Sequence, residues 1–582
     1  MTLPVTMAAY LTSDSLPYAN LFAIVLLPLL VTYAATAIGN WGYRDGDASR
    51  EPPRVPYWIP VIGNTFGFAY NTEKFLASVI SKFKKVPLRI FVGAEQMYYI
   101  PQGKPILELF KASRHLTTHS LNVMTLRDAF GVPIPDVKLY IGDKSGITAK
   151  PAAGFEGADP AHRFHFIEHR DLQTLLSGSS LNVMTNNFIR LYKKIIETDA
   201  RFAKGDWVEI DNLYTWMRDD IAHAALESFC GEKFLELSPT FMEDFWAFDH
   251  VLPKLFKRLP RWLIPSCYEA RDKAFASVLR FHNYTRENLS MSDEETLAKE
   301  WTPEFGSKLI TARQKLLQTT GFSPEGAAAL DLGLIWALNA NAIPAALWML
   351  LNILVDPDLK DRVITEMSPA FEEGSLSLDL EKLCSGPLLN SIYCETLRLR
   401  VAAPVGRTST IPDLKFGRWK LKEDVCMLST SWYGGRDPDF WNTGRTLPDG
   451  SVEHPVDTFW AERFLRYPDD PASGPVRKQG ASATTSRDNG KRTTDDDRKA
   501  RAVTDGTQGY WYPYGGGLNM CPGRHFAKQE LMVSVALVLR AYEFDIVDLE
   551  SAAKVKPNME YFPFGTIPPK GKIATRIRRR KL

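Results

Sequence analysis

The chain has 582 residues, with 70 Lys and Arg against 68 Asp and Glu, a net charge of +2 at neutral pH. That length holds one large domain or several smaller ones, and a hydrophobic fraction of 45% suffices for a sizeable core. The near-neutral balance gives no case for nucleic acid or an acidic substrate. The scattered cysteines (230, 267, 384, 394, 426, 521), with no C-x-x-C, argue against a disulfide scaffold or a zinc site and for a reducing compartment.

Residues 15–43 carry no charge, and 21–39 are almost wholly apolar, long enough to span a bilayer. A cleaved signal peptide is the rival reading, but no Lys or Arg precedes the run. Arg44, Arg50 and Arg54 follow it and place the downstream domain on the cytosolic side. The expected order is a lumenal segment over 1–18, an anchor over 19–40 and a proline-rich hinge over 41–64, where repeated prolines exclude helix.

Residues 88–100 have β character between Pro87 and Pro101. Residues 115–150 read as loop-rich, and the hexapeptide Ser-Leu-Asn-Val-Met-Thr at 120–125 and 180–185 reads as chance or local helix-turn similarity. His162, His165 and His169 fall on one face of a helix predicted over 161–176, a solvated face more readily than a metal site. Amphipathic helices dominate 186–320, with an aromatic run from Phe241 to Phe256.

Residues 327–355 read as one long helix, apolar almost all round and therefore buried. A second membrane span is the rival, weakened by Asp331, Asn339, Asn341 and Pro344, and Pro344 predicts a kink. Glu395 and Arg398 share a helix face, Arg407 follows that helix, and residues 414–432 alternate like paired strands. Residues 468–509, polar and almost free of large apolar side chains, read as a disordered insertion, and 576–582 as a solvated basic tail.

Between them lies the run Trp-Tyr-Pro-Tyr-Gly-Gly-Gly-Leu-Asn-Met-Cys-Pro-Gly-Arg-His-Phe-Ala at 511–527. A glycine loop delivers Cys521 to the start of a helix whose first position suits Pro522, so the helix dipole favours a thiolate there. A glycine turn before a core helix would also give Cys-Pro-Gly; the complete run does more. It resembles the haem-binding signature of cytochrome P-450, Phe-x-x-Gly-x-Arg/His-x-Cys-x-Gly-x-x-x-Ala. Tyr514 holds the Phe place, followed by Gly517, Cys521, Gly523 and Ala527; Asn519 replaces the basic residue.

The resemblance implies the mainly α cytochrome P-450 fold with a small β portion over 65–575, plus one N-terminal transmembrane helix. It implies haem b with Cys521 as axial iron ligand, and Tyr514, Gly517 and Gly523 around it. Arg407 is the implied propionate contact, with His169 or Arg170 as a further candidate. Glu395, Arg398 and Arg463, the last in a Glu-Arg-Phe segment, match the family's buried charged network. Residues 327–355 correspond to its long helix across the haem. There Ala340 stands at the acid position and Asn341 at the alcohol position of the proton relay. That departure resembles the branch of sterol 7α-hydroxylases and prostacyclin synthase, with fungal relatives.

The implied activity is a monooxygenase on a lipophilic small molecule: a secondary metabolite, terpenoid, polyketide or steroid. Electrons come from NADPH–cytochrome P-450 reductase, docked near Arg524 and Lys528, in the endoplasmic reticulum membrane. A haem-thiolate isomerase or dehydratase is the alternative, and a haem-binding protein without turnover a third reading. Membrane lipid is an expected partner and nucleic acid is not.

Overall fold

A computed structural model of the chain describes residues 16–38, 50–83, 85–478 and 492–581. Two units divide it: Met1–Thr118 with Val405–Ser429, and His119–Pro404 with Thr430–Leu582.

The smaller unit is built on strands. Leu88–Val92 and Glu95–Tyr99 pair antiparallel, as the alternation at 88–100 predicts, and Cys426–Thr430 joins the second strand in parallel register, Leu428 opposite Tyr99. Pro404–Ser409 and Leu116–Thr117 complete a five-stranded sheet. The described part of the expected hinge is not a free linker. Arg89 N–H donates to Pro53 O and Val55 N–H to Arg89 O, both at 2.8 Å, so 53–55 lie along the first strand. Glu51 accepts from Tyr98 Oη at 2.7 Å, Gln96 Nε2 at 2.9 Å and Arg89 at 2.9 Å. Ahead of it, Leu16–Ile38 is helical, and Tyr33 stacks on Trp58 with ring centroids 4.3 Å apart. Residues 1–15 and 39–49 of the expected lumenal segment, anchor end and hinge lie outside the described residues.

The larger unit is mainly helical. Its centre is the apolar stretch expected over 327–355, which forms two helices rather than one, Pro324–Asn339 and Ala342–Leu354. Pro344, in the first turn of the second, has no N–H to return to Ala340 O, and the helix breaks at 340–341. Nearly every side chain of the second half is buried, so the membrane-span rival yields to a core helix. Arg524–Ala541 packs on it, with Gly178–Thr198 and Pro387–Arg400 alongside; Phe241–Leu255 and Pro265–Asn288 pack together, the latter against Pro324–Asn339. Asp331, on the first half, is buried in an ionic group with Arg313 at 2.8 Å and His282 at 3.0 Å, which pins neighbouring helices to it.

Other expectations need correction. Residues 119–142 are not mainly loop: they form helix His119–Thr125, a π-helical turn and helix Ile134–Gly142, in which Gly and Pro mark only the ends. The repeated hexapeptide is helical in both places, in agreement with local helix similarity. The three histidines do not share a face, because the helix starts at Phe164, after His162. His162 pairs with Asp159 at the surface, while His165 is buried with Nε2 2.7 Å from Tyr140 O.

The expected basic tail is the middle strand of a three-stranded sheet, Tyr542–Ile546, Thr575–Arg579 and Val208–Ile210. Ile577 points into the core, and Arg578 reaches Glu543 at 2.7 Å.

The expected disordered insertion is ordered at both flanks, its 479–491 portion lying outside the described residues. Thr493 caps helix Thr494–Lys499 in a capping box. Asp497 then accepts from Arg362 at 2.8 and 2.9 Å and from Tyr467 Oη at 3.0 Å, while Arg362 also bonds Glu462. Charges, counted as solvated in the composition, are here buried partners. Replacing Arg362 with alanine leaves the buried Asp497 without its cation. It is expected to cost about 3 kcal/mol of unfolding free energy, measured in urea; an unchanged midpoint would contradict this pairing.

Candidate active site

Residues 511–523 form a tight loop ahead of helix Arg524–Ala541. Gly515 N–H donates to Tyr512 O at 3.0 Å, and Cys521 N–H closes the loop on Tyr514 O at 3.0 Å. Two left-handed glycines, Gly515 at φ 70° and Gly517 at φ 69°, make the turn. The helix starts at Arg524 with Gly523 as its N-cap, so Pro522 lies in the preceding turn and not at the first helical position. Cys521 is the exposed member of the six cysteines; Cys230, Cys267 and Cys394 are buried, Cys384 and Cys426 partly so. Local burial pushes its thiol pKa up, against the pull of the Gly523 and Arg524 amides on Sγ and of the Arg524 charge. The helix start alone therefore does not make the free thiol acidic, as its position suggested; a cation at Sγ would favour the thiolate.

Behind the loop, Tyr514 Oη lies 2.7 Å from Tyr393 Oη, and burial raises the pKa of both phenols. Tyr393, Trp511, Tyr514, Met520, Arg524 and Lys528 line a cavity of about 410 Å³ on this side. Arg524 donates to Cys521 O at 3.0 Å, and Lys528 Nζ lies 5.8 Å from the Tyr393 ring centre.

Tyr393 belongs to helix Pro387–Arg400, which also carries Glu395 and Arg398. Arg398 forks onto Glu395 with two bonds of 2.7 Å. Arg463 Nε meets the same carboxylate at 3.0 Å and Trp460 N–H at 3.1 Å. None of the three charged side chains is exposed. Burial alone would raise Glu395; the two guanidiniums outweigh it and hold the carboxyl below its usual range. Arg398 goes on to Val456 O at 2.6 Å and to Gly435 O, Arg463 to Pro455 O at 3.2 Å and to Asn442 O. A Cβ at Gly435 would stand 2.4 Å from Arg398 O, so the segment must carry glycine there.

At the helix break, Asn341 Oδ1 accepts from Thr566 N–H at 2.9 Å. Gly565 makes room: a Cβ there would be 2.1 Å from Asn341 Oδ1. Gly565–Thr566 also pairs with Val401–Ala402, directly after the Glu395 helix. Ala340 is the C-cap of Pro324–Asn339 and has no polar side-chain atom. Arg407 belongs to the smaller unit, buried on strand Pro404–Ser409 with Nη1 donating to Gly406 O at 2.7 Å; burial lowers its pKa to about 10. Arg170 pairs with Asp171.

The fold matches that of the retinoic acid bound cyanobacterial CYP120A1, with a TM-score of 0.57 at 16% identity over 91% of this chain and 99% of that one. The model of the cytochrome P450 family matches residues 228–445 and 495–574. A cytochrome P-450 monooxygenase of Humicola fuscoatra, fsoE, is 34% identical over 96% of this chain and 95% of its own length. The chain belongs to the cytochrome P-450 family. It is a monooxygenase, an oxidoreductase whose prosthetic group is haem with a cysteine thiolate on iron. Cytochrome P-450 7A1 of Rattus norvegicus is 27% identical over 56% of this chain and 57% of its length, in accord with the sterol 7α-hydroxylase resemblance. The cytochrome P-450 cofactor fits the loop: a cysteine exposed at the loop's end, amides directed at its sulfur and a glycine backbone that a flat ring can approach.

Tyr514, Gly517, Cys521 and Gly523 thus come together in one loop, and Glu395, Arg398 and Arg463 in one network. Thr566 and Gly565 carry no signature in the sequence, and only the chain's three-dimensional course pairs them with Asn341. Tyr393 could have been found as the aromatic two residues before Glu395.

Proposed function

We propose that Cys521 holds haem b. The reaction is then insertion of an oxygen atom from dioxygen into a lipophilic small molecule: a terpenoid, polyketide, steroid or related secondary metabolite. The observation that carries this reading is Cys521, an exposed residue whose sulfur is met by two amides in a loop closed on Tyr514. When bound, the haem activates dioxygen at thiolate-ligated iron. The amides of Gly523 and Arg524 restrain the sulfur, and Glu395 with its two arginines fixes the segments behind it. With Asn341 Oδ1 occupied by Thr566, its Nδ2 is what position 341 can offer, a donor that holds an oxygen atom in place.

Asn341→Ala releases Thr566 and removes that donor. Turnover is expected to fall about tenfold, the weight of roughly one lost hydrogen bond, with more NADPH consumed per product. Unchanged rate and coupling would remove Asn341 from the mechanism.

Electrons reach the site from NADPH through cytochrome P-450 reductase on the Lys528 and Arg524 side. Helix Leu16–Ile38 anchors the chain in the endoplasmic reticulum, supported by its exposed apolar side chains, Ile24, Leu27 and Leu30 among them. The test is mass spectrometry of lipophilic extracts from strains with and without the chain, grown under heavy-isotope dioxygen. The expected result is a product present only with the chain and carrying the label. A product that is an unlabelled isomer of the accumulating precursor would overturn insertion in favour of rearrangement.

A further inference from the structure

The segment 561–566 is held at both ends by other elements. Thr566 is bound to Asn341 at the helix break, and Tyr561 Oη donates to Asp249 Oδ2 at 3.2 Å. Between them Phe564 stacks on Phe256, centroids 4.4 Å apart. Asp249, on helix Phe241–Leu255, is only 8% exposed and takes a second bond from Trp336 Nε1 at 2.9 Å. Trp336 lies one turn before Ala340, with its ring 6.0 Å from Phe130 and 6.2 Å from Phe256. One carboxylate therefore joins three elements next to the break.

Burying a carboxylate is costly, and an apolar side chain would pack this interface more cheaply. What the carboxylate adds is two acceptor oxygens for two donors, an indole and a phenol, that would otherwise be unsatisfied or free to turn. Trp336 belongs to the cluster with Phe130 and Phe256, and Tyr561 begins the segment that brings Phe564 onto Phe256. Fixing them sets the cluster's shape.

We propose that Asp249 is a positioning residue for substrate selection. It clamps Trp336 and Tyr561 so that Phe130, Phe256, Trp336 and Phe564 form a preset aromatic wall beside residues 340–341. Such a wall offers flat faces to a rigid, fused-ring apolar skeleton and little to a small polar molecule. The inference rests on the reading that residues 340–341 face the haem bound at Cys521.

The test uses the full-length, haem-loaded chain and two iron-binding probes, imidazole and 4-phenylimidazole. Trp336 and Tyr561 bond different oxygens of Asp249, and asparagine turns one of them into an NH2 donor, so only one of the two bonds survives in place. Asp249→Asn is expected to leave the carbon monoxide spectrum unchanged and to speed amide exchange over residues 559–567 about tenfold. It should weaken 4-phenylimidazole about tenfold and imidazole by less than about twofold, the scale of one hydrogen bond. Tyr561→Phe removes one bond without changing core volume and should move both readouts the same way, about threefold. Unchanged exchange and an unchanged ratio of probe affinities in Tyr561→Phe would overturn the clamp, whether or not Asp249→Asn folds. A wild-type chain without the thiolate spectrum would instead overturn the haem reading, and the clamp's role in selection with it.

Discussion

Chains carrying Glu395→Ala are expected to yield almost no soluble, haem-loaded protein. The carboxylate accepts two bonds from Arg398, one from Arg463 and one from the Trp460 amide, with no exposed surface. Its removal leaves two guanidiniums buried without a counter-charge. Deleting one partner of a buried ion pair costs about 3–5 kcal/mol, against a total stability of about 5–15 kcal/mol for a folded domain. The loss falls where Pro387–Arg400, the Gly435 turn and the Arg463 segment meet, next to the Tyr393–Tyr514 contact on the cysteine loop. Glu395→Gln keeps the shape and one acceptor, and should give an intermediate yield. The measurement is haem per protein in the soluble fraction; full occupancy in the alanine variant would show that the network does not hold the site.

The site's proximal half was legible in the sequence because its residues are adjacent in the chain. The loop at 511–527 carries its glycines, cysteine and helix start in one run, and Glu395 and Arg398 sit one helical turn apart. What was misplaced there is local. Pro522 precedes the helix because Gly523 takes the cap, and the sulfur's pKa follows its burial more than the helix start. The distal half was less legible, since its contacts are long-range. Asn341 was visible as a departure from the family pattern, but its partner lies 225 residues away. Asp249, Trp336 and Tyr561 come from three elements, and no spacing rule joins them.

Fold errors have a common physical cause: composition reads solvation, and packing can override it. The segment at 492–499 is as polar as its neighbours, yet Asp497 is buried because Arg362 meets it. The basic residues at 576–579 alternate with Ile577 as a strand requires, and acidic partners on the neighbouring strand make that strand tolerable. The apolar stretch at 327–355 was rightly assigned to the interior, and its break was foreshadowed by Pro344.

Cys521→Ser is the second change with a total expected effect. Serine differs by one atom and fits the loop, so Gly515, Gly517 and the Tyr514 closure should survive it. What disappears is the thiolate, a soft donor that a neutral hydroxyl does not replace. Cys394, which lines the cavity, is buried and Cys384 partly so, and burial raises the pKa of both thiols, so neither is prepared to substitute. The decisive measurement is the carbon monoxide difference spectrum of the reduced full-length chain, wild type against Cys521→Ser. The wild type should show the band of a thiolate-ligated haem and the serine variant none, with monooxygenase turnover lost. A thiolate-type band in Cys521→Ser, or its absence from the wild type, would contradict the assignment of Cys521 as the iron ligand.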